Sequence, residues 1–471
     1  MVFSGIPFLF FFLPLCLILY YAVPFSWKNG ILLIFSLIFY AWGEPLYILL
    51  MLFSTLLDYT NGLLMERFGT TKLRKTFFLC CSICVNLFIL GFFKYADFAV
   101  SLVNSMLGTR ITPPGIHLPV GISFYTFQTM SYIIDLYKSE VKAEHSYTAY
   151  LTYVSMFPQL VAGPIVRFAD IQEQLHKRTI TFNGMQTGFL RFLLGLFKKV
   201  LIANQVGALW EEIRMLGTAN TSVATAWLGA LCFTLQLYFD FSAYSDMAIG
   251  MGHMLGFTYH ENFRYPLTAI SVTDFWRRWH ISLSTWFRDY VYIPLGGNRR
   301  GIPRHLFNIA VVWFLTGLWH GASWNFILWG VYYGILLMLE KYMCGKAVEK
   351  LPKLLQHAYA FLIVVFGFVI FAITDWNALG TYIYLLFSFA SNSLADTRFL
   401  WYLGNYGLII AIACVLTCPI YPWLCQKALT LSRPKRRFLS AISGMAILLL
   451  FVLSTAYMVS DTYNPFLYFR F

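Results

Sequence analysis

The sequence predicts an all-α, polytopic membrane protein, and three observations carry that prediction. Only 12% of the 471 residues are charged, about half of the roughly 25% typical of a soluble globular chain. Hydrophobic residues make up 59% and aromatic residues 19% of the chain, which leaves too little polar surface to cover the apolar mass in water. The charges are also unevenly spaced, so long apolar runs alternate with short polar segments. Together these features exclude a disordered chain, a collagen-like chain and an ordinary soluble enzyme.

Charge-free windows mark the membrane segments. A spanning helix needs about 20 apolar residues, and ten windows of at least 18 residues contain no Asp, Glu, Lys or Arg. They are 1–27, 76–93, 111–134, 145–166, 215–239, 305–339, 354–374, 376–395, 399–426 and 438–460. The stretches 29–57 and 184–209 are nearly as apolar. We therefore expect roughly 11 to 13 membrane helices, and we interpret 1–471 as one integral membrane domain.

The net charge of +13 is explained by basic loops on the cytoplasmic side of a membrane and does not require nucleic acid binding. Cytoplasmic loops of membrane proteins collect Lys and Arg, and the basic clusters at 66–75 and 433–437 have that character. The chain shows no aromatic-interleaved basic groove outside its apolar runs, so we expect membrane lipids and no nucleic acid as partners.

The nine cysteines indicate neither a disulfide framework nor a metal site. The pair Cys81 and Cys84 has redox or metal spacing, but no second pair of ligands lies near it in the sequence. Cysteines inside apolar runs behave as small hydrophobes. We expect no structural disulfide, no zinc and no cofactor.

The interval 258–304 differs from the rest of the chain. It holds seven arginines and no lysine, and Ser271 and Asp274 form a capping-box pattern that predicts the start of a helix. Large apolar side chains then recur every three or four residues, at 276, 279, 283, 286 and 290. Such a helix carries too much charge to span lipid, so we expect it to lie along the interface or to re-enter as a short segment.

The next apolar run, 305–339, is too long for one membrane crossing. A single helix of this length would reach roughly 50 Å, against a hydrocarbon core of about 30 Å. Gly317 and Gly321 bracket His320 in its middle. We therefore expect a helix break or a close helix–helix approach at this position.

His320 is the sharpest candidate for chemistry. It is embedded in apolar sequence on both sides, and an imidazole there can act as a general base toward a hydroxyl nucleophile. The alternative is a histidine that bonds a neighbouring helix for packing. His280 lies in the arginine-rich interval, and three roles are open for it. It either orients the substrate, completes a tunnel or simply faces the membrane interface.

The arginines of 258–304 also allow two interpretations. On the predicted helix, Arg277, Ser284 and Arg288 share one flank, and Arg278 extends the polar side. Arginine forks bind phosphate, so a phosphorylated donor could dock there. The other interpretation is lipid headgroup binding together with the positive-inside bias.

Four acidic residues at or near the ends of apolar runs stay ambiguous at this level. Each is either functional within the membrane or part of a buried ion pair with arginine. They are Asp58, Asp135, Asp240 and Asp246.

Two long blocks carry a family likeness. The first, from Asp274 to Arg299, reads DFWRRWHISLSTWFRDYVYIPLGGNR, and the second, at 317–324, reads GLWHGASW. Both resemble the membrane-bound O-acyltransferase (MBOAT) family, in the branch of the alginate O-acetyltransferase membrane subunit and the peptidoglycan O-acetyltransferases. Further segments of the same likeness are 118–128, 157–167, 238–250 and 464–471.

The resemblance implies a fold and an activity. Such proteins form a ring of tilted helices, with re-entrant and interfacial helices, around a central tunnel in the cytoplasmic membrane of bacteria. Acetyl-CoA donates the acyl group from the cytosol, the acceptor is an extracytoplasmic polysaccharide, and an SGNH-type extracytoplasmic acyltransferase finishes the transfer. The family histidine falls on His320 and the second one on His280, within a catalytic segment spanning 258–340.

The candidate site follows from these arguments together. The catalytic candidates are His320 and His280, and the substrate-binding candidates are Arg277, Arg278, Ser284, Arg288, Asn298 and Trp319. In this hypothesis His320 takes a proton from an attacking hydroxyl, while His280 shapes the channel or holds the thioester carbonyl. Three alternatives remain: D-alanyl transfer to teichoic acid, a glycan transporter, and a scaffold that anchors a secreted enzyme.

Overall fold

A computed structural model describes residues 1–161, 163–217, 221–389 and 393–460 of the chain, so the family-like segment 464–471 lies outside the described residues. Throughout these ranges the regular elements are helices, which confirms the predicted all-α class.

The α-helices are α1 (Leu13–Ala22), α2 (Phe25–Gly43), α3 (Ile48–Phe68), α4 (Lys72–Leu107), α5 (Ile122–Tyr137), α6 (Tyr147–Ser155), α7 (Phe157–Leu160), α8 (Phe168–His176), α9 (Phe182–Phe197), α10 (Asn204–Arg214), α11 (Val223–Leu255), α12 (Val272–Arg278), α13 (Ile281–Phe287), α14 (Ile302–His320), α15 (Trp324–Leu339), α16 (Gly345–Glu349), α17 (Lys353–Ala372), α18 (Trp376–Phe387), α19 (Thr397–Leu416), α20 (Ile420–Leu429) and α21 (Arg433–Ser460).

The membrane character of the chain is confirmed by helix length and composition. Within the described ranges, nine helices are long and apolar enough to cross a membrane, and the apolar helix Phe8–Ala22 is shorter. The nine are Phe25–Gly43, Ile48–Phe68, Lys72–Leu107, Phe182–Arg214, Val223–Leu255, Trp324–Glu349, Lys353–Ala372, Thr397–Leu416 and Arg433–Ser460.

This number is lower than the roughly 11 to 13 expected from charge-free windows, because some windows fold into short helices. The window 111–134 starts with extended chain and contributes only the 16-residue α5 after Pro119. The window 145–166 is divided into α6 and α7 at Met156, next to Phe157 and Pro158. Proline and turn residues end helices even where no charge is present.

The chain folds into two compact units that interleave along the sequence. Unit 1 comprises Met1–Phe192, Ser245–Glu261 and Thr285–Pro294. Unit 2 comprises Leu193–Tyr244, Asn262–Ser284 and the chain from Leu295 onward. His280 and His320 therefore belong to the same unit.

In unit 1, a buried polar cluster joins α3 to α4. The Asn86 amide donates to both carboxylate oxygens of Asp58, at 2.9 and 2.8 Å, and the Ser82 hydroxyl donates to the same carboxylate. Ser54 in turn donates to the Asn86 side-chain oxygen at 2.6 Å. Asp58 is thus a fully hydrogen-bonded group between two membrane helices, as a buried carboxylate must be.

In unit 2, α14 and α15 form a hairpin whose backbones approach closely. A Cβ atom on Gly317 would lie 2.5 Å from the Phe326 carbonyl oxygen, and one on Gly330 would lie 2.4 Å from that of Trp313. Both predicted features, the break and the close approach, are therefore present. The break falls directly after His320, which ends α14, and α15 starts at Trp324.

The arginine-rich helix begins as expected but does not continue as one helix. The Ser271 hydroxyl accepts from the Asp274 amide at 3.0 Å and starts α12. The helix then stops at Arg278, and α13 starts at Ile281. The interruption arises because the segment from Asn262 pairs its backbone with this turn: Arg264 N–H donates to the Arg278 carbonyl at 2.9 Å and Ile281 N–H donates to the Asn262 carbonyl at 3.0 Å. The single aromatic stripe predicted across 276–290 is therefore wrong.

Candidate active site

His280 lies in the turn between α12 and α13, with a φ of +43°. This left-handed conformation is uncommon for a non-glycine residue and costs of order 1–3 kcal/mol, and such strain concentrates at functional sites. The side chain is buried, and its ring meets the Phe241 ring edge to face at a centroid distance of 4.7 Å. Burial lowers the pKa of His280 to about 3, so the ring is neutral at physiological pH.

The Asn262 side chain holds this turn. Its Oδ1 atom lies 3.3 Å from His280 Nδ1, accepts from the Ser282 backbone N–H at 3.1 Å and accepts from the Ser282 hydroxyl at 2.9 Å. His280 Nε2 is buried and has no hydrogen-bond partner among the described residues. A buried ring nitrogen without a partner is costly, so this nitrogen has the capacity to form a hydrogen bond with a bound molecule.

His320 is enclosed by aromatic rings at the C-terminal end of α14. The rings of Trp329 and Phe371 meet it edge to face, at centroid distances of 4.9 and 5.3 Å. Asn325 fixes the end of α17 that carries Phe371, because its amide donates to the Ile370 and Phe371 carbonyls at 3.3 and 3.1 Å. The α14–α15 hairpin and α17 together therefore build the apolar surroundings of this imidazole.

Trp319 connects the two histidines. Its buried ring lies 6.0 Å from the His280 ring and 5.0 Å from the His320 ring, centroid to centroid. The structure thus brings together three of the predicted site residues, although the two histidines are 40 positions apart in the sequence.

An aromatic cluster extends from His320, and several of its N–H and O–H groups have no hydrogen-bond partner among the described residues. Trp276 packs edge to face against Trp329 at 5.5 Å and against Tyr333 at 4.9 Å. The indole N–H groups of Trp276 and Trp329 and the Tyr333 hydroxyl are buried without a hydrogen-bond partner among the described residues. The shell is therefore mainly aromatic, and it contains several polar atoms that can orient a substrate.

The remaining candidates of unit 2 lie in less enclosed positions. Arg277 is exposed, and Arg278 donates to the Asp274 carboxylate at 2.9 Å. The Ser284 backbone N–H donates to the His280 carbonyl at 3.1 Å, so Ser284 supports the turn through its main chain. Asn298 is exposed on the glycine-containing loop that precedes α14.

Arg288 belongs to unit 1, where it is part of an ion-pair network. It donates to Asp289 at 2.7 Å, and Asp289 also accepts from Arg167 at 3.0 Å. Arg167 pairs in addition with Asp170 at 3.3 Å. The structure therefore groups Arg288 with this ion-pair network, whereas the histidines belong to unit 2.

The ambiguous acidic residues resolve into buried or half-buried contacts. Asp240 pairs with Lys199 at 2.6 Å, with both side chains buried. Asp246 pairs with Arg191 at 2.9 Å. Asp135 accepts from the Tyr290 hydroxyl at 2.8 Å. Each of these carboxylates therefore has a structural partner, as buried charges require. The expected pairing with arginine holds for Asp246, whereas Asp240 pairs with a lysine and Asp135 with a tyrosine hydroxyl.

Sequence reasoning missed Asn262, Trp329 and Phe371. Asn262 precedes His280 by 18 residues, and no helix or strand period relates the two positions. Trp329 and Phe371 lie in apolar runs where any large side chain would satisfy the hydrophobic pattern. A helix break at Gly321 was the one available signal that α15 would fold back toward His320.

The arrangement is suited to proton transfer in the absence of bulk water. A neutral imidazole accepts a proton from a hydroxyl that it contacts. Apolar walls exclude water and so strengthen electrostatic interactions at the reacting atoms. Group transfer to a hydroxyl is chemistry that this site can perform.

Comparisons with known proteins agree with the geometry. A profile of the MBOAT, membrane-bound O-acyltransferase family, matches residues 31–389 and so covers both histidines. The probable alginate O-acetylase AlgI of Azotobacter vinelandii is 38% identical over 100% of both chains. That of Pseudomonas aeruginosa is 42% identical over 84% of this chain and 76% of its own length. The peptidoglycan O-acetyltransferase of Helicobacter pylori is 33% identical over 77% of this chain and 75% of its own. The chain is therefore a multi-pass membrane O-acyltransferase that belongs to the MBOAT family.

Proposed function

We propose that this chain moves an acetyl group from acetyl-CoA to a hydroxyl of an extracytoplasmic polysaccharide, with an alginate-type exopolysaccharide as the first candidate and peptidoglycan as the second. The similarity to the alginate O-acetylases over the full length supports this choice. The observation that carries the proposal is the pair of histidines on the Trp319 ring, each enclosed by aromatic side chains. The membrane concerned is the bacterial cytoplasmic membrane.

The proposed chemistry assigns the proton to His320. The imidazole accepts the proton of the attacking hydroxyl, and the oxygen forms a bond with the thioester carbonyl carbon. The carbon–sulfur bond then breaks, and the leaving thiolate takes the proton from His320. The aromatic cluster around His320 excludes water, which would otherwise hydrolyse the thioester.

Three exposed arginines are the best candidates for binding the phosphates of the donor. Within the described part of the chain, no ion pair is seen for Arg277, Arg299 or Arg300. Arg278 and Arg288 already pair with Asp274 and Asp289, so a phosphate would have to compete with a carboxylate for either of them. We propose that Arg277, Arg299 and Arg300 dock the donor and that Arg278 and Arg288 maintain local structure.

A second protein is part of this proposal. An SGNH-type extracytoplasmic acyltransferase completes the transfer to the polysaccharide, in line with the family likeness of the two histidine blocks. The partner is expected to affect the rate and position of acetylation, whereas consumption of the thioester requires the histidines of this chain.

A vesicle assay tests the proposal. Full-length protein is reconstituted into liposomes that enclose mannuronate oligosaccharides and the SGNH-type partner, and acetyl-CoA with a labelled acetyl group is added outside. We expect label on the enclosed oligosaccharide for the wild type and a loss of about 10²–10⁴-fold for His320→Ala, the range that a general base contributes. His260→Ala is the matched control, because the His260 side chain is 76% exposed.

The other possible results of this assay each point to a different conclusion about the function. Transfer by His320→Ala at the wild-type rate removes His320 from the mechanism. Movement of oligosaccharide without thioester consumption identifies a transporter. Transfer to peptidoglycan fragments but not to mannuronate oligosaccharides keeps the reaction and replaces the acceptor.

A further inference from the structure

The side chain of Asn262 fixes the protonation pattern of the His280 ring. The Asn262 atom that faces the turn accepts from the Ser282 backbone N–H at 3.1 Å. A backbone N–H can only donate, so this atom is the carbonyl oxygen of the amide and not its nitrogen. The orientation of the Asn262 amide is thereby determined by the main chain.

His280 Nδ1 faces this same oxygen at 3.3 Å. The amide oxygen can only accept, and the Ser282 hydroxyl, 3.5 Å from Nδ1, gives its one hydrogen to that oxygen at 2.9 Å, so Nδ1 carries its own hydrogen. In a neutral imidazole the other ring nitrogen then has no hydrogen. His280 Nε2 is thus an acceptor with a free lone pair.

The surroundings of Nε2 leave this lone pair for a ligand. Nε2 is buried, and no described residue donates to it. The His280 ring packs against Phe241 and Trp319, at centroid distances of 4.7 and 6.0 Å, and neither ring places a donor at hydrogen-bond distance from Nε2. A buried acceptor surrounded by aromatic carbon is satisfied when a bound molecule supplies a donor.

We propose that Asn262 is a positioning residue that holds His280 as the Nδ1–H tautomer, so that Nε2 binds a hydroxyl of the acceptor. The inference rests on the proposed function for the identity of the acceptor. It also decides what His280 cannot do: without a hydrogen, Nε2 cannot donate to the carbonyl oxygen of a thioester. His280 therefore does not hold the thioester carbonyl, and in this proposal its Nε2 recognises the acceptor.

The proton count sets a requirement on the acceptor. A hydroxyl carries one hydrogen, so the hydroxyl that donates to His280 is not the one from which His320 takes a proton. The acceptor must present at least two hydroxyls to the site. Sugars satisfy this requirement, and simple monohydric alcohols do not.

Solid-state nitrogen NMR of the full-length protein in lipid bilayers, labelled at its histidines, measures the tautomer directly. The His280 signals are assigned by their loss in His280→Gln. We expect Nδ1 to be protonated and Nε2 to be unprotonated in the wild type and in Asn262→Asp, whose carboxylate also accepts from Nδ1–H. In Asn262→Ala we expect a mixture of tautomers. Protonation at Nε2 in the wild type, or an unchanged tautomer in Asn262→Ala, would overturn the proposal.

Acetyl transfer provides a second readout. Removing one hydrogen-bonding contact costs about 1–2 kcal/mol, which corresponds to roughly tenfold in binding. Asn262→Ala should therefore raise the KM for a sugar acceptor about tenfold and leave the KM for acetyl-CoA unchanged. In Asn262→Asp the carboxylate stabilises the imidazolium form of His280, so the acid limb of the pH–rate profile should move to higher pH. Asn405→Asp, an exposed asparagine of α19, is the matched control with no shift.

These results also separate the inference from the function on which it rests. If Asn262→Ala does not fold, the pH profile of Asn262→Asp decides, and a profile identical to that of the wild type overturns the proposal. A wild-type protein that has the expected tautomer but transfers no acetyl group refutes the proposed function and leaves the role of Asn262 in the turn intact.

Discussion

The His320 imidazole and the Trp329 indole meet edge to face, with ring centroids 4.9 Å apart and ring planes at 83°. The two residues lie on opposite arms of the α14–α15 hairpin. Edge-to-face contacts stabilise aromatic pairs by about 0.5–1.5 kcal/mol beyond their buried area. This contact therefore restricts the orientation of the ring to which the mechanism assigns the proton.

Replacing Trp329 should slow the reaction without unfolding the protein. Trp329→Phe keeps an aromatic ring but shortens it, so His320 gains freedom to rotate, and small misplacements of a catalytic group lower rates by about 10- to 100-fold. We expect kcat for acetyl transfer to fall within this range and the KM for acetyl-CoA to change little. Trp401→Phe, at an exposed position of α19, is the control. A Trp329→Phe enzyme with wild-type kcat would show that the contact does not position His320.

Adding a side-chain atom where α14 and α15 are in close contact should destabilise unit 2. In Gly317→Ala the new Cβ atom would lie 2.5 Å from the Phe326 carbonyl oxygen, and backbone atoms cannot rotate away. Overpacking of this kind typically costs about 1–3 kcal/mol. We expect a lower midpoint of thermal unfolding in detergent, accompanied by loss of transfer.

Gly404→Ala provides the comparison for that experiment. No heavy atom lies within 4 Å of the Cβ position at Gly404 in α19. Alanine is favoured over glycine inside a helix by roughly 0.5–1 kcal/mol, so this variant should be as stable as the wild type or more stable. Equal destabilisation by the two substitutions would refute the packing argument.

The Lys199–Asp240 pair should behave as a buried ion pair. The Lys199 ammonium and the Asp240 carboxylate lie 2.6 Å apart with both side chains buried. Lys199→Met or Asp240→Leu alone removes the counter-ion of the remaining buried charge, at a cost of about 3–5 kcal/mol. The double variant removes both charges and should recover most of the thermal stability. A double variant that is less stable than either single one would contradict this account.

The burial of neutral His280 should make the protein sensitive to acid. Its pKa in the folded state is lowered to about 3, whereas an unfolded histidine titrates near 6.5. Between these values the unfolded chain binds more protons, so the contribution of His280 to stability is complete above about pH 6.5 and is lost as the pH falls toward 3. Thermal unfolding measured from pH 7 to pH 4 should therefore depend less on pH in His280→Gln than in the wild type.

An exposed side chain that does not titrate serves as the control for this experiment. Asn405→Gln should leave the pH dependence of unfolding as it is in the wild type, because neither the asparagine nor the glutamine changes its protonation in this range. If His280→Gln and the wild type lose stability in parallel over this range, His280 does not set the acid response.

The sequence by itself determined the class of the protein, the start of α12 and the break after His320. Charge-free apolar runs require helices in lipid, because lipid offers no partners for unpaired backbone groups. The Ser271 cap and the glycine at 321 act on their immediate neighbours, so local pattern is enough to predict them.

The tertiary structure alone decided how the site is assembled. Asn262 orients His280 across 18 residues of chain, Trp329 and Phe371 reach His320 from other helices, and Asp240 finds Lys199. Apolar periodicity shows that a side chain is buried, but it does not show which side chain it meets. Those partners depend on how helices distant in sequence pack against one another, and for that reason the form of His280 that binds a substrate could be derived only from the folded chain.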